Sequence, residues 1–204
     1  MSWPVNPAAT LQIEHVLLRP VSEQDREPLK AIALDDAIWR YFVIRISTEA
    51  DFDAFFDTGL ADHEAGRRAV YTIIDTRTDS VAGSMSFGNL FPKDQRVEIG
   101  WSWLGKDFQG AGINRWSKFL LLRHAFEAMG AERVEFKTDV LNLQARKALS
   151  NVGAIEEGVL RSFNPMPDGR RRDAIYYSVL RAEWPQVKQQ LTDQAKITRP
   201  TPSA

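Results

Sequence analysis

The sequence predicts a mixed α/β domain of the α+β kind, with one central, twisted, mostly antiparallel sheet flanked by helices. Segments that alternate apolar and polar residues, as half-buried strands do, are interspersed with segments of helical periodicity. Three strand-like segments between residues 69 and 104 follow one another without a helix, which indicates an antiparallel meander. The strand–helix–strand unit at 97–140 has the length of a right-handed parallel crossover, which makes the predicted sheet a mixed one.

Composition restricts the function classes that the chain can serve. Its 204 residues are 44% hydrophobic and 26% charged, which is typical of a globular domain. The net charge of −1 gives no electrostatic reason to expect binding to nucleic acid or to a membrane. The chain has no cysteine, which excludes disulfides and thiol catalysis, and its three histidines have no metal-ligand spacing, so we expect no metal. There is no signal-peptide pattern and no membrane-spanning apolar run, so we expect a cytoplasmic protein.

The chain is predicted to form one domain with two tails. Residues 1–10 are expected to be an N-terminal extension and residues 11–182 the domain itself. Residues 183–204 are expected to form a C-terminal helix and then a disordered tail, because the last segment, TRPTPSA, is short, polar and rich in proline.

The first part of the domain is predicted to contain one strand and two helices. The segment LQIEHVLLRPV, residues 11–21, alternates and then becomes apolar, as a strand does. Ser22 and Asp25 resemble a capping box and begin a helix that continues to about Ala33. Thr48 is the predicted cap of a second helix, in which four apolar residues recur at helical spacing.

The rest of the domain is predicted to alternate strands with helices and to end in a hairpin. The dipeptide Asp168–Gly169 is a strong hairpin signal. The predicted strands are residues 69–75, 80–88, 96–104, 132–140, 154–163 and 172–184, and the predicted helices are residues 113–130, 143–153 and a last one from residue 184.

A glycine-rich turn joins a Trp-rich strand to the longest predicted helix. The backbone N–H groups at a helix N-terminus lack partners, and small residues let an anion approach them, so Gly110, Ala111 and Gly112 form a candidate phosphate cradle. The alternative is a tight turn that needs glycine. The P-loop pattern fails because its lysine is missing, and the dinucleotide pattern fails because Arg115 replaces its third glycine.

A third phosphate pattern fits this turn. Gln109, Gly112 and Asn114 fall in the frame Gln/Arg-x-x-Gly-x-Gly/Ala, the pyrophosphate motif of the GCN5-related N-acetyltransferases, with Asn in place of the last small residue. The segments VEIGWSWLGKDFQGAGIN and NLQARKALSNVGAIEEGVLR are similar, in order and spacing, to consecutive motifs of that superfamily. From about Leu11 to Ala182 the chain resembles its RimJ/RimL-like branch.

The resemblance implies an enzyme that transfers an acetyl group directly from acetyl-CoA to a primary amine, on a protein N-terminus or a small molecule. It also implies a possible homodimer and no metal. For Asn142, a contact to the pantetheine arm and a cap of the following helix both remain open. The residues that the resemblance assigns to the cofactor are Trp103 and Leu104 by their backbone, Gln109, Gly110, Ala111, Gly112, Ile113, Asn114 and Arg115 around the pyrophosphate, and Asn142 and Arg146.

Glu98 is the candidate general base, since family members often carry a glutamate at this place in the strand. A purely structural carboxylate is the alternative, because the strand register decides which face it occupies. The family's proton-donating tyrosine is replaced by Leu149, and Ala145 stands where the branch often has serine. The leaving thiolate is therefore expected to take its proton from water or from another group such as Tyr176.

Two rival functions remain at this point. The missing tyrosine and serine are compatible with a non-catalytic acyl-CoA-binding or regulatory domain on the same fold. A nucleotide-binding protein is disfavoured by the failed phosphate patterns. The basic run DGRRRD, residues 168–173, indicates a solvated hairpin tip, with the steering of an acidic acceptor as the alternative.

Overall fold

The fold is taken from a computed structural model that describes residue 3 and residues 6–197, without the side chains of 194–197. The predicted disordered tail, residues 198–204, lies outside the described residues. Eight strands within the described range form one sheet. They are β1 (Leu11–Ile13), β2 (Val16–Pro20), β3 (Ala69–Asp75), β4 (Ser80–Phe91), β5 (Arg96–Leu104), β6 (Arg133–Asp139), β7 (Ile155–Pro165) and β8 (Arg171–Leu180).

The helices lie between the strands in the predicted order. A single 3₁₀ turn, Glu23–Asp25, precedes the first helix, and a wider π-helical segment, His124–Met129, continues the fourth. The helices of the described range are α1 (Arg26–Ala33), α2 (Asp36–Trp39), α3 (Glu49–Glu64), α4 (Ile113–Arg123), α5 (Leu143–Val152) and α6 (Trp184–Ile197).

The sheet has the order β1-β2-β3-β4-β5-β6-β8-β7. The pair β5–β6 is parallel and the other neighbours are antiparallel, which confirms the predicted mixed, mostly antiparallel sheet. The parallel pairing joins Arg96–Glu98 to Arg133–Glu135 and does not continue along the described strands. Beyond these residues β5 and β6 each keep one unpaired edge, and the two edges face each other.

Each face of the sheet carries its own hydrophobic core. The larger core lies under α4, α5 and α6, where Phe119 and Leu120 pack against strand residues such as Ile99. The smaller core lies under α1, α2 and α3, where Phe52 packs among residues that include Trp103 of β5. The sheet is therefore held between two helical layers, with β5 in contact with both.

The predicted helix starts are confirmed. Thr48 and Asp51 form a capping box, since Thr48 Oγ1 accepts from the Asp51 N–H (3.2 Å) and Asp51 Oδ2 accepts from the Thr48 N–H (2.9 Å). Asp25 accepts a hydrogen bond from the Ser22 N–H at 2.9 Å, so the polar pattern at residues 22–25 marks a real helix start.

Three details of the sequence prediction were wrong. Residues 11–21 form a hairpin of two short strands, because Glu14 adopts a left-handed conformation (φ 50°) that reverses the chain. The last strand ends at Leu180, whose N–H is bound by the Glu183 carboxylate at 2.8 Å, so the chain turns into α6. The four-residue helix α2, capped by Asp35, was not predicted.

In the range that the structure describes, no helix combines the length and the apolar character needed to cross a membrane.

Gly83 and Gly158 give a matched test of how tightly β4 packs against β5. Both glycines have positive φ, 155° and 148°, but a Cβ at Gly83 would lie 2.2 Å from the Trp103 carbonyl oxygen, whereas a Cβ at Gly158 would meet nothing within 4 Å. We expect Gly158→Ala to cost about 1–2 kcal/mol in backbone strain and Gly83→Ala about 4 kcal/mol. Urea unfolding measures the loss of stability in both variants. Equal losses would show that β5 moves away from the added Cβ at residue 83 at no cost in free energy.

Candidate active site

A cleft of about 680 Å³ opens where β5 and β6 separate. The consecutive residues Ile99 to Leu104 line one side and Phe136 to Thr138 the other. The segment around α2 contributes Tyr41 and Phe42, and the β7–β8 hairpin contributes Phe163, Asn164 and Arg172. The cleft thus reaches from the glycine loop at the end of β5 to the hairpin.

A β-bulge shapes the β5 wall of the cleft. Ser84 pairs with Trp103 and Ser86 with Gly100, so Trp101 and Ser102 together oppose one residue of β4. Trp101 has a φ of 50°, an unusual conformation for a bulky side chain. Contacts fix it there, because its ring lies against Gly88, where a Cβ would be 2.2 Å from it, and 4.8 Å from the Arg68 guanidinium carbon. The bulge therefore turns backbone groups of Trp101 and Ser102 away from the hydrogen bonds between β4 and β5.

The glycine loop has the geometry of an anion cradle. Gly110 and Gly112 have φ values of 81° and 80°, which other residues rarely adopt. No described residue accepts a hydrogen bond from the backbone N–H groups of residues 110–115. The Gln109 side chain donates to the Leu104 carbonyl oxygen at 3.2 Å and so ties the loop to the end of β5. A Cβ on Gly110 would meet nothing within 4 Å, so open space lies beside it.

Glu98 faces the cleft at the point where the two strands separate. Its side chain is buried, with 5% of its surface exposed, and it lines the cleft wall. Asn89 Nδ2 donates to Glu98 Oε2 at 2.7 Å, and Lys137 Nζ lies 3.4 Å from the same oxygen. These contacts orient the carboxylate through Oε2. Its other oxygen, Oε1, has no hydrogen bond from a described residue.

Asn142 caps α5 and also lines the cleft. Its Oδ1 accepts from the Ala145 N–H at 3.0 Å, and its Nδ2 has no acceptor among the described residues. Arg146 does not line the cleft. Its guanidinium contacts the Val140 carbonyl (3.1 Å), the Tyr177 hydroxyl (3.3 Å) and Glu156 (3.4 Å). The Arg146 side chain therefore contacts β7 and β8 and not the glycine loop, and its role in cofactor binding stays a prediction.

The other residues from the sequence analysis divide into two groups. Ile113 is fully buried in the larger core, so its side chain does not line the cleft, and the Arg115 guanidinium carbon lies 5.2 Å from the Trp116 ring centre. Ala111 and Gly112 belong to the glycine loop that precedes α4. The predicted residues that line the cleft are Glu98, Trp103, Leu104, Gln109, Gly110, Asn114 and Asn142.

Lys118 is a buried cation that the sequence analysis missed. It lines the cleft, and its ammonium donates to Asn114 Oδ1 at the glycine loop. Burial lowers the pKa of Lys118 to about 8. The signal in the sequence was the spacing of Asn114 and Lys118, which lie one helical turn apart at the start of α4.

The interpretation of residues 168–173 as a solvated tip was wrong for one of its arginines. Arg171 is exposed, whereas Arg172 is buried and lines the cleft. Tyr176 comes four residues after Arg172 on β8 and lies on the same face of the strand. Burial and the nearby negative charge of Glu98 raise the pKa of Tyr176, so its hydroxyl keeps its proton at neutral pH.

Among the residues that the structure describes, no group of three or more His, Asp or Glu side chains could hold a metal ion.

The glycine loop, the bulged strand and the separated parallel pair agree with the family resemblance of the sequence. Residues 15–155, more than half of the chain, match the family described as Acetyltransferase (GNAT) domain. The chain belongs to the GNAT acetyltransferase family. The protein is therefore an N-acetyltransferase, as the sequence predicted.

Known proteins resemble this GNAT chain over most of their length. YdaF of Bacillus subtilis (strain 168), named as a presumed ribosomal N-acetyltransferase, is 28% identical over 181 residues, which cover 84% of this chain and 94% of YdaF. A structure of a presumed acetyltransferase from T. thermophilus is 35% identical, with a TM-score of 0.82 and coverage of 91% and 96%. Mycobacterium smegmatis RimJ in complex with CoA-disulfide is 24% identical and shares the fold, with a TM-score of 0.76 and coverage of 92% and 93%.

Lys118 should give folding stability a specific pH dependence. Because its pKa falls from 10.5 to about 8 on folding, only the unfolded chain holds this proton between those pH values. Stability from this group is therefore lowest below pH 8 and rises up to about pH 10.5. We expect Lys118→Met to raise the free energy of unfolding by roughly 3 kcal/mol at pH 7, with the gain vanishing near pH 10.5.

Urea unfolding at several pH values measures this difference. The exposed Lys147, replaced by Met, is the matched control and should leave the pH dependence of wild type unchanged. A gain in the Lys118 variant that is constant from pH 7 to pH 10.5 would contradict the assignment.

Proposed function

We propose that this GNAT N-acetyltransferase uses acetyl-CoA as its acetyl donor and transfers the acetyl group directly to a primary amine. The observation that carries the proposal is one continuous cleft that joins a glycine cradle to a buried carboxylate between two unpaired strand edges. The cradle suits a pyrophosphate, the strand edges suit an extended arm, and the carboxylate suits a proton acceptor.

The cradle is proposed to hold the pyrophosphate by its backbone. The N–H groups of residues 110–115, which have no acceptor in the described part of the chain, and the positive end of the α4 dipole favour an anion there. Lys118 adds a buried positive charge one turn further along the helix, beside Asn114. The backbone of Trp103 and Leu104 is proposed to pair with the pantetheine arm as an added strand would, and Asn142 Nδ2 is free to contact the same arm.

The bulge on β5 is proposed to polarise the thioester. Because Trp101 and Ser102 oppose a single residue of β4, the ladder cannot use all their backbone N–H groups. An N–H directed into the cleft at this place stabilises negative charge on the thioester oxygen as the amine attacks.

Glu98 is proposed as the general base. A primary amine is largely protonated at neutral pH, so a proton must leave before its nitrogen lone pair attacks the thioester carbonyl carbon. The Glu98 carboxylate takes that proton, directly or through one water molecule. The new bond is C–N, the bond that breaks is C–S, and CoA leaves as a thiolate.

The thiolate needs a proton, and the family's tyrosine is absent. Leu149 at that position is buried, lines the cleft and has no proton to give. Tyr176 keeps its hydroxyl proton and lies near Glu98, which makes it the candidate donor. Water is the alternative donor, since a thiol of pKa about 8.5 also leaves readily as a thiolate.

There are two candidate classes of acceptor amine. The name of YdaF supports a ribosomal protein amine as one candidate, and a small-molecule amine is the other. The complex of RimJ with CoA-disulfide supports a coenzyme A ligand for this fold. A cytoplasmic location and a homodimer stay predictions.

Acetyl-CoA should stabilise the folded protein, and ATP should not. A ligand at one hundred times its Kd raises the free energy of unfolding by about 2.7 kcal/mol. Thermal unfolding with acetyl-CoA, CoA and ATP measures this effect. No shift with acetyl-CoA would remove the cradle assignment, and a shift with ATP alone would favour a nucleotide-binding protein.

Glu98→Gln should lower kcat by about 10²–10⁴-fold while leaving acetyl-CoA affinity intact, because it removes the base and keeps the side-chain volume. Glu135→Gln is the matched control. Glu135 is the register partner of Glu98, but it pairs with Arg96 and Arg133 outside the cleft wall. Steady-state CoA release measures turnover. Full activity of the Glu98 variant would remove its proposed role, and binding without turnover in wild type would favour the non-catalytic alternative.

A further inference from the structure

Arg172 is a buried cation in the cleft that has no use in the proposed reaction. Only 7% of its surface is exposed, and no described residue forms a hydrogen bond or salt bridge with it. An arginine stays charged at any physiological pH. A desolvated charge with no hydrogen-bonding partner is costly, so this position points to an anion that comes from outside the chain.

Asn164 lies directly opposite Arg172. The two residues are register partners on β7 and β8, so their side chains occupy the same face of the hairpin. The Oδ1 atom of Asn164 is also buried without a hydrogen bond, and Asn164 lines the cleft beside Arg172. A guanidinium, which donates hydrogen bonds, and a carboxamide oxygen, which accepts them, thus stand together in the cleft, both without partners among the described residues.

The two carboxylates that act on Arg172 through space already have partners. Asp139 is fully buried, binds Arg170 and accepts from the Leu141 N–H at 3.0 Å. Glu98 binds Asn89 and Lys137. Although both carboxylates act on Arg172 through space, neither is within hydrogen-bond reach of its guanidinium.

The phosphates of the cofactor are not the missing anion. Leu104, the last residue of β5, comes six residues after Glu98, which spans roughly 20 Å at 3.3 Å per residue. The glycine loop follows Leu104, whereas Arg172 lies close enough to Glu98 to feel its charge. The anion at Arg172 therefore belongs to the molecule that is acetylated next to Glu98.

We propose that the acceptor is a primary amine that also carries a carboxylate, and that Arg172 binds this carboxylate. The inference rests on the proposed function, since it names the acceptor of the same site. A planar guanidinium matches the two oxygens of a carboxylate in a fork. An acceptor whose carboxylate is held by Arg172 presents its amine towards Glu98. A free α-amino acid is one such acceptor, because its amine and its carboxylate are attached to the same carbon.

Substrate pairs test the proposal on the wild-type enzyme. Free amino acids are compared with their own carboxamides, and peptides with an N-terminal or penultimate Glu are compared with the same peptides carrying Gln. We expect kcat/KM to favour the carboxylate of a pair by at least about 100-fold. A preference confined to amino acids assigns the α-carboxylate, and one confined to peptides assigns the acidic side chain. Equal rates within every pair would overturn the proposal.

Variants identify the residue responsible. In Arg172→Gln the ratio between carboxylate and carboxamide should fall to near one, and in Arg172→Lys it should be intermediate because the charge remains without the fork. Arg171→Gln is the matched control, since Arg171 is exposed and bound to Ser162 at 2.9 Å, and it should keep the wild-type ratio. A ratio that survives in Arg172→Gln would overturn the assignment of Arg172.

The inference and the proposed function fail in different ways. If uncharged amines are acetylated as well as carboxylated ones, the N-acetyltransferase mechanism stands and the carboxylate site falls. If acetyl-CoA neither stabilises the protein nor is turned over with any amine, the proposed function falls and the acceptor site falls with it. The carboxylate-to-carboxamide ratio compares substrates on one enzyme, so partial unfolding of a variant does not alter it.

Discussion

Between β5 and β6, backbone pairing joins Arg96–Glu98 to Arg133–Glu135 and then stops, although both strands continue. When two neighbouring strands separate inside a sheet, the backbone groups that would normally bond across the gap have no strand partner. The arrangement persists because each strand is held from its other side, β5 by β4 and β6 by β8. Every feature of the cleft depends on this separation, since its two walls begin at the last pair, where Glu98 faces the cleft.

The chemistry along the cleft follows from the position on β5. At the closed end Glu98 is buried, at the middle the Trp101 bulge redirects the backbone, and at the open end the glycine loop begins α4. One strand thus carries the proposed base, the proposed N–H donor and, at its end, the proposed anion cradle. The two helical layers clamp this strand from both faces, which explains how a strained tryptophan conformation is kept in place.

Features with local causes were predictable from the sequence, and those that depend on packing were not. The Thr48 cap and the left-handed glycines at 110 and 112 depend on neighbours within a few residues, so their patterns were sufficient. The orientation of Glu98 depends on strand register, which the sequence left open. Arg172 resembled its exposed neighbours in a basic run, and only the packing of the hairpin over the cleft separates it from Arg171.

The separated strands also affect how the protein avoids aggregation. Unpaired strand edges attract strands of other chains, and proteins commonly blunt them. The outer edges of this sheet follow that rule, because β1 has three residues and β7 is interrupted by register shifts. The long unpaired edges of β5 and β6 lie inside the sheet and face each other, so they are not at its outer rim. The fold therefore keeps open hydrogen-bonding edges available to a ligand without offering them as a template for strand addition.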